Sequence, residues 1–228
     1  MTLTADLAEQ AQLSRLLDRT EAFIRKYVAL SHHESKALTG WVAHTWCFSA
    51  AYVMPYIFVT SATPASGKTR LLECLSLIVA KPLMTGSISS AALMRTCDAE
   101  APTILLDESD ASFGGDREYA EALRGLLNTG YTRSGRATRL VPQGNQWVTK
   151  HFNTWSPKCF AGIGDHLPDT MRTRAIVIRL KRKKADEPVA RFYLRDATEE
   201  AAELVASWPE WAAHNVDALE TDRHWRLV

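Results

Sequence analysis

The sequence predicts an α/β fold built on a mostly parallel sheet of five strands. Three observations carry this. Apolar runs of strand length alternate with stretches of helical spacing, the order that generates strand–helix–strand crossovers. The runs are continuously apolar instead of alternating, as in strands covered on both faces. The chain has 228 residues, of which 46% are hydrophobic and 23% charged, enough for one domain with a real core.

The elements follow in order. Residues 5–30 place Leu7, Leu13, Leu16, Leu17, Phe23, Ile24, Tyr27 and Val28 at helical spacing. The stretch Ser31-His32-His33-Glu34 matches a capping box and opens a second helix, expected to run to about Val53. Its stripe is Leu38, Trp41, Val42, Trp46 and Tyr52, and Pro55 ends the pattern. "YIFVTS" is the first strand, and "GKTRLLECLSLIVA" is a helix. "KPLMTG" is a short second strand, "SISSAALMRTC" a capped helix and "PTILLDES" a third strand ending in carboxylates. "EYAEALRGLLNTGY" is helical, and "ATRLVPQGNQWVTKHF" reads as a hairpin turning at "PQGNQ". "KCFAGIG" and "RAIVIRLK" are the fourth and fifth strands. Residues 198–216 form an acidic helix, expected to break at Pro209. Three segments result: N-terminal helices over 1–54, a core over 55–184 and a C-terminal helical segment over 185–228.

Net charge is +1, but it is unevenly spread. Residues 1–130 sum to −3, residues 131–184 to +10 and residues 185–228 to −6. A basic block of this density points to a polyanion, either nucleic acid or nucleotide phosphate. Cys47, Cys74, Cys97 and Cys159 show no metal or disulfide spacing and read as reduced core thiols of a cytosolic protein. The polar start is no signal peptide. Residues 37–67 carry no charge, yet Pro55, His44, Thr45 and Ser49 interrupt them, so a buried helix and strand are expected there instead of a membrane span.

The chemistry concentrates at residues 58–69, "FVTSATPASGKT". A strand, a tight loop and a helix N-terminus together hold phosphate by backbone N–H groups and the helix dipole. Thr63, Pro64, Ala65, Ser66, Gly67, Lys68, Thr69 and Arg70 form the expected nucleotide-binding set. Gly67 permits close backbone approach, Lys68 reaches the β- and γ-phosphates, and Thr69 offers a hydroxyl to Mg²⁺. Ala62 stands where this loop usually opens with glycine, and it is tolerated only if its φ is negative. Lys68 is followed 39 residues later by Asp107-Glu108 at the end of "ILLDE". The strand beside such a loop is expected to carry an Asp for Mg²⁺, here Asp107, and Glu108 activates a water. Asp110 is either a loop residue or a helper of the metal's waters.

The stretches "TSATPASGKTRLLE", "PTILLDESDASF", "LRGLLNTGYTRSG", "FNTWSPKCFAGIGDHLPDTMRTRAIVIRLKRK" and "WVAHTW" together resemble a domain family without an assigned function. It occurs in actinobacteria, their phages and mobile elements, often beside primase or helicase modules. The resemblance covers roughly residues 15–225. It implies a three-layer αβα phosphate-loop ATPase core of AAA+-like type, related to superfamily III helicases, with a hairpin insertion and a short C-terminal helical lid. It further implies a homo-oligomeric ring binding ATP with Mg²⁺ at subunit interfaces. Carried over by position, Lys68 and Thr69 hold phosphate and metal, and Asp107 and Glu108 are the acidic pair. "LPDTMRTRAIVIRL" resembles the segment ending in an arginine finger, with Arg174 the first choice and Arg172 the second. Gly164 and Asp165 stand where a γ-phosphate sensor is usual, so no sensor is assigned.

The basic block supplies Arg133, Arg136, Arg139, Lys150 and His151 as candidate contacts to DNA, interleaved with Trp147, Phe152 and Trp155. In related helicases a hairpin before the sensor strand grips DNA. The alternative packs Trp147 and Phe152 inward. "RLKRKK" at 179–184 either binds phosphates or keeps a sheet edge soluble. The function expected is ATP hydrolysis coupled to DNA during replication of a mobile element. The alternative is a nucleotide-switched interaction protein with no motor activity.

Overall fold

The structure, a computed structural model, describes residues 3–107, 117–163, 169–184 and 186–221. Helices α1 (Leu3–Tyr27) and α2 (His32–Cys47) come first, followed by a 3₁₀ turn at Phe48–Ala50. Then come β1 (Tyr56–Ser61), α3 (Lys68–Ser76), β2 (Pro82–Thr85), α4 (Ser90–Glu100) and β3 (Thr103–Leu106). Helix α5 (Arg117–Thr129) leads into a hairpin of β4 (Arg136–Gln143) and β5 (Gln146–Asn153). β6 (Lys158–Ile163), α6 (Asp169–Arg172), β7 (Ala175–Leu180) and α7 (Leu194–Thr221) complete the described chain.

The five core strands are all parallel, in the order β2-β3-β6-β1-β7. Side chains alternate across them and divide the interior into two apolar clusters. Ile57, Val59, Leu105, Cys159, Ala161 and Ile178 join α1, α2, α3 and α7 on one face. Tyr56, Phe58, Ile104, Leu106 and Phe160 join α4, α5, α6 and the hairpin root on the other. Helices therefore cover both faces of the central strands, which is why β1, β3 and β6 read as apolar runs, whereas edge strand β2 has no buried residue.

The capping box at Ser31 forms as the sequence predicts: Ser31 Oγ accepts from the Glu34 N–H, and Glu34 Oε2 accepts from the Ser31 N–H at 3.0 Å. Glu34 Oε1 accepts from the N–H of Arg179 on edge strand β7, also at 3.0 Å. One carboxylate thus caps a helix and satisfies a sheet edge.

Four expectations are corrected. Helix α2 stops at Cys47 and not near Val53, and Tyr52 is 67% exposed instead of completing the stripe. The chain must turn there to enter β1, and Trp41 Nε1 secures the turn by donating to the Pro55 carbonyl at 2.8 Å. Helix α7 runs unbroken through Pro209 for 28 residues, longer than a short lid. Proline removes one helical hydrogen bond, but burial of Trp208, Trp211 and Ala212 beside it holds the helix together. The first helix ends at Tyr27, ahead of residue 30. Finally, β3 is not adjacent to β1, because β6 lies between them.

Candidate functional site

Strand β1 ends at Ser61, and α3 begins at Lys68, so the loop sits at the carboxyl edge of a parallel sheet, where ligands of open α/β sheets bind. Gly67 is the residue before the helix and has φ 90°, a left-handed conformation that favours glycine. Ala62 has no positive φ, so the missing glycine leaves no strain at that position. Ala65 does, at φ 54°. The backbone strain of this loop therefore lies three residues beyond the place the sequence suggested.

Hydroxyls fold the loop onto itself. Ser61 Oγ and Ser66 Oγ each donate to the Thr63 carbonyl at 2.7 Å. Thr63 Oγ1 lies 3.2 Å from Ser66 Oγ. Lys68 Nζ donates to Ser61 Oγ at 2.7 Å, which pins the amine over the loop's root. Among the described residues, none accepts a hydrogen bond from the N–H groups of Ala62, Thr63, Ala65, Ser66 or Gly67. Unengaged N–H groups, a lysine and a helix N-terminus fit an anionic ligand. Pro64 and Thr69 are exposed. Arg70 pairs with Glu73 at 3.2 Å and stacks 4.1 Å from the Phe192 ring.

A cavity of about 270 Å³ opens beside the loop. Ala65, Ser66 and Gly67 form one wall, Lys181, Arg182 and Lys183 another, and Tyr27, Val28, Ala29 and Val189 the rest. Tyr27 is fixed by a 2.7 Å hydrogen bond to Glu200 Oε2, which also takes Lys26 Nζ at 2.6 Å. Burial would raise the Glu200 carboxyl, but these two donors outweigh it and hold it below the usual carboxylate range.

Asp107 follows β3, and its N–H donates to the Thr85 carbonyl at 3.0 Å. With β6 between β3 and β1, the two strand ends stand about 10 Å apart. Glu108 and Asp110 lie outside the described residues, as do Gly164 and Asp165. Among the described residues no cluster of three or more His, Cys, Asp or Glu side chains is placed to hold a metal. A Mg²⁺ ion held by one or two protein oxygens and water needs no such cluster.

Arg174 sits at the opposite edge of the sheet. Its carbonyl accepts from the Tyr56 N–H, at the start of β1. The six residues of β1 put about 20 Å between it and the loop. Its guanidinium donates to the Asn128 carbonyl and side chain at 2.9 and 3.0 Å and stacks over Tyr131. Arg172 lies 3.9 Å from Asp169.

The hairpin separates the candidate nucleic-acid contacts. Ala137, Arg139 and Val141 share a face with Phe152, Lys150 and Val148. Arg136, Thr138, Leu140 and Pro142 share the other with Asn153, His151, Thr149 and Trp147. Phe152 is buried, but Trp147 is 69% exposed, so only one of the two rings packs inward. Lys150 Nζ lies 4.7 Å from the Phe152 ring, and His151 Nδ1 lies 2.8 Å from Thr138 Oγ1. Arg136 donates to carbonyls of Arg133 and Gly135. Arg139 is exposed and donates to the Thr138 carbonyl. Arg133 is paired with Glu220 at 2.6 Å.

Sequence reasoning missed Ser61, Tyr27 and Lys158. Lys158 is fully buried, donates to the Thr154 and Ser156 carbonyls at 2.8 and 2.9 Å, and lies over the Tyr56 ring. Burial lowers its pKa to about 8. A serine at a strand end and a lysine opening a strand carry no motif that would have marked them.

No family model matches the chain, and no curated protein matches it. Among the described residues no helix is long and apolar enough to cross a membrane.

Proposed function

We propose that the chain is a Mg²⁺-dependent, AAA+-like ATPase that acts as a homo-oligomer and couples nucleotide turnover to DNA. The observation that supports this reading most is the β1–α3 loop: unengaged N–H groups and left-handed Gly67 border one cavity, and the Lys68 amine is held at the root of the same loop by Ser61. Lys68 exchanges its bond to Ser61 for the β- and γ-phosphates. Thr69 and Asp107 hold Mg²⁺, which when bound offsets phosphate charge. Glu108 takes the proton of the attacking water. Arg174 lies too far from its own loop to act there, so it serves a neighbouring subunit's site as an arginine finger. Arg139 and Lys150, which share one face of the hairpin, bind the backbone of single-stranded DNA.

The test is ATP turnover with and without single-stranded DNA, with molecular mass measured in the same buffer. Wild type hydrolyses ATP, DNA stimulates it, and Lys68→Ala abolishes it. An unchanged rate in Lys68→Ala overturns the site.

The engagement of Arg174 with Asn128 and Tyr131 favours a second reading. With its finger held by α5, the protein acts as a nucleotide-dependent switch. MgATP binding without turnover, at any protein concentration and with DNA present, selects this reading.

A further inference from the structure

The segment after β7 has no role in the reading above. It is nonetheless tied to the same cavity by three independent features. The parallel register pairs Leu180 with Ser61, so the chain leaves β7 beside the chain entering the loop. Lys181, Arg182 and Lys183 line the cavity across from Ala65, Ser66 and Gly67. The segment is also held at its far end. Lys183 Nζ donates to the Glu187 carbonyl at 3.2 Å, the Lys184 N–H donates to Glu187 Oε2 at 2.8 Å, and the Ala190 N–H donates to the Lys26 carbonyl at 2.8 Å. Among the described residues neither Lys181 nor Arg182 has an ion-pair partner. Three like charges fixed side by side repel one another, and a bound polyanion relieves that repulsion.

We propose that Lys181, Arg182 and Lys183 form a second cationic wall of the loop cavity, contributed by the same chain, that selects a nucleoside triphosphate over the diphosphate. The inference rests on the nucleotide reading of the loop. The loop N–H groups serve the inner phosphates, which both nucleotides possess, and Lys68 supplies a single cation toward the outer ones. The additional charge of a triphosphate falls to the wall. Because its side chains are exposed, their attraction is screened by salt within roughly 10 Å at 0.1 M, so selectivity declines as ionic strength rises. The cavity residues across from the wall are Tyr27, Val28, Ala29 and Val189, and the acidic group bonded to the wall's own segment is Glu187, whose carboxylate accepts from the Lys184 N–H.

The experiment is calorimetric titration of the full chain with MgATP, MgADP and inorganic tripolyphosphate at 50 and 300 mM salt. Wild type is compared with the triple variant Lys181→Ser/Arg182→Ser/Lys183→Ser and with the milder Lys181→Gln/Arg182→Gln. A thermal melt of each variant checks folding, which exposed positions leave intact. Wild type prefers ATP at least tenfold at low salt and less at high salt. The triple variant binds ADP as wild type does and brings the ATP preference to within about twofold. A wild-type ATP:ADP ratio in both variants overturns the wall while leaving the nucleotide site standing. Wild type that takes tripolyphosphate but neither nucleotide overturns the nucleotide reading and, with it, the proposed selectivity. Wild type that binds none of the three overturns both.

Discussion

Ala62 and Ala65 make opposite statements about the same loop. At Ala62, without a positive φ, restoring the usual glycine only loosens the unfolded chain, so Ala62→Gly costs about 0.5–1 kcal/mol. At Ala65, φ 54° penalises a Cβ, so Ala65→Gly is neutral or stabilises by up to about 1 kcal/mol. Urea denaturation of the two variants checks the contrast; equal losses would mean that the loop does not hold these dihedrals. Lys158 supplies a pH test. Its pKa falls from 10.5 to about 8 on folding, so between those values the unfolded chain binds more protons than the folded one. Stability from this group therefore rises with pH across that window, by as much as about 3 kcal/mol in total. Buried Cys47 and Cys74, pushed up to about 11 and about 12, act in the opposite direction above pH 9. The comparison is consequently with Lys158→Met: wild type gains stability relative to this variant between pH 7.5 and pH 9.5 in guanidinium melts.

At the scale of elements, the N-terminus of α2 and the edge of β7 share one side chain. Glu34→Ala removes the capping box and exposes the unpaired Arg179 N–H, at a cost of about 2 kcal/mol. Ser31→Ala removes only the cap, at about 1 kcal/mol. Thermal or chemical denaturation separates the two, and equal losses would show that the edge contact contributes nothing. The hairpin forms a two-stranded sheet of its own, rooted in the core by Ala137 and Phe152. Its two-residue turn places Gly144 at φ 61°, the position where a type II′ turn needs glycine. Its far end projects Leu140 and Trp147 away from the core, 64% and 69% exposed. Arg139→Ala with Lys150→Ala should lower the salt slope of single-stranded DNA binding by about 1.4, read by fluorescence anisotropy from 50 to 200 mM salt. An unchanged slope would move the DNA contact off this face.

The whole molecule sets two charged regions against each other. The acidic C-terminal helix meets α1 and the basic block through Arg19–Glu203, Lys26–Glu200 and Arg133–Glu220. Part of the +10 balance is thus met internally, and Arg133 is the candidate most compromised as a DNA contact. Loop and finger candidate occupy opposite edges of one sheet, so their cooperation requires two subunits. Arg174→Ala and Glu108→Ala proteins, each inactive alone, should recover turnover when mixed, because one interface then carries an intact finger facing an intact loop. No recovery in an assembled mixture would count against the trans arrangement and favour the switch.

Much of the fold was legible because its causes are local. Continuous apolar strands, the capping box at Ser31 and the turn at Gly144 depend on neighbours a few residues away. The loop composition was legible for the same reason: Gly67, Lys68 and Thr69 must be consecutive to work. Strand order was not legible, since β6 enters between β3 and β1 only after the hairpin has returned the chain. Pro209 misled because helix propensity is a local quantity, whereas burial of Trp208 and Trp211 against distant helices outweighs it. The conformations at Ala62 and Ala65, the burial of Lys158 and the meeting of Lys181–Lys183 with the loop were decided by tertiary structure alone. Each depends on which groups far apart in the chain become neighbours, and a linear pattern carries no record of that.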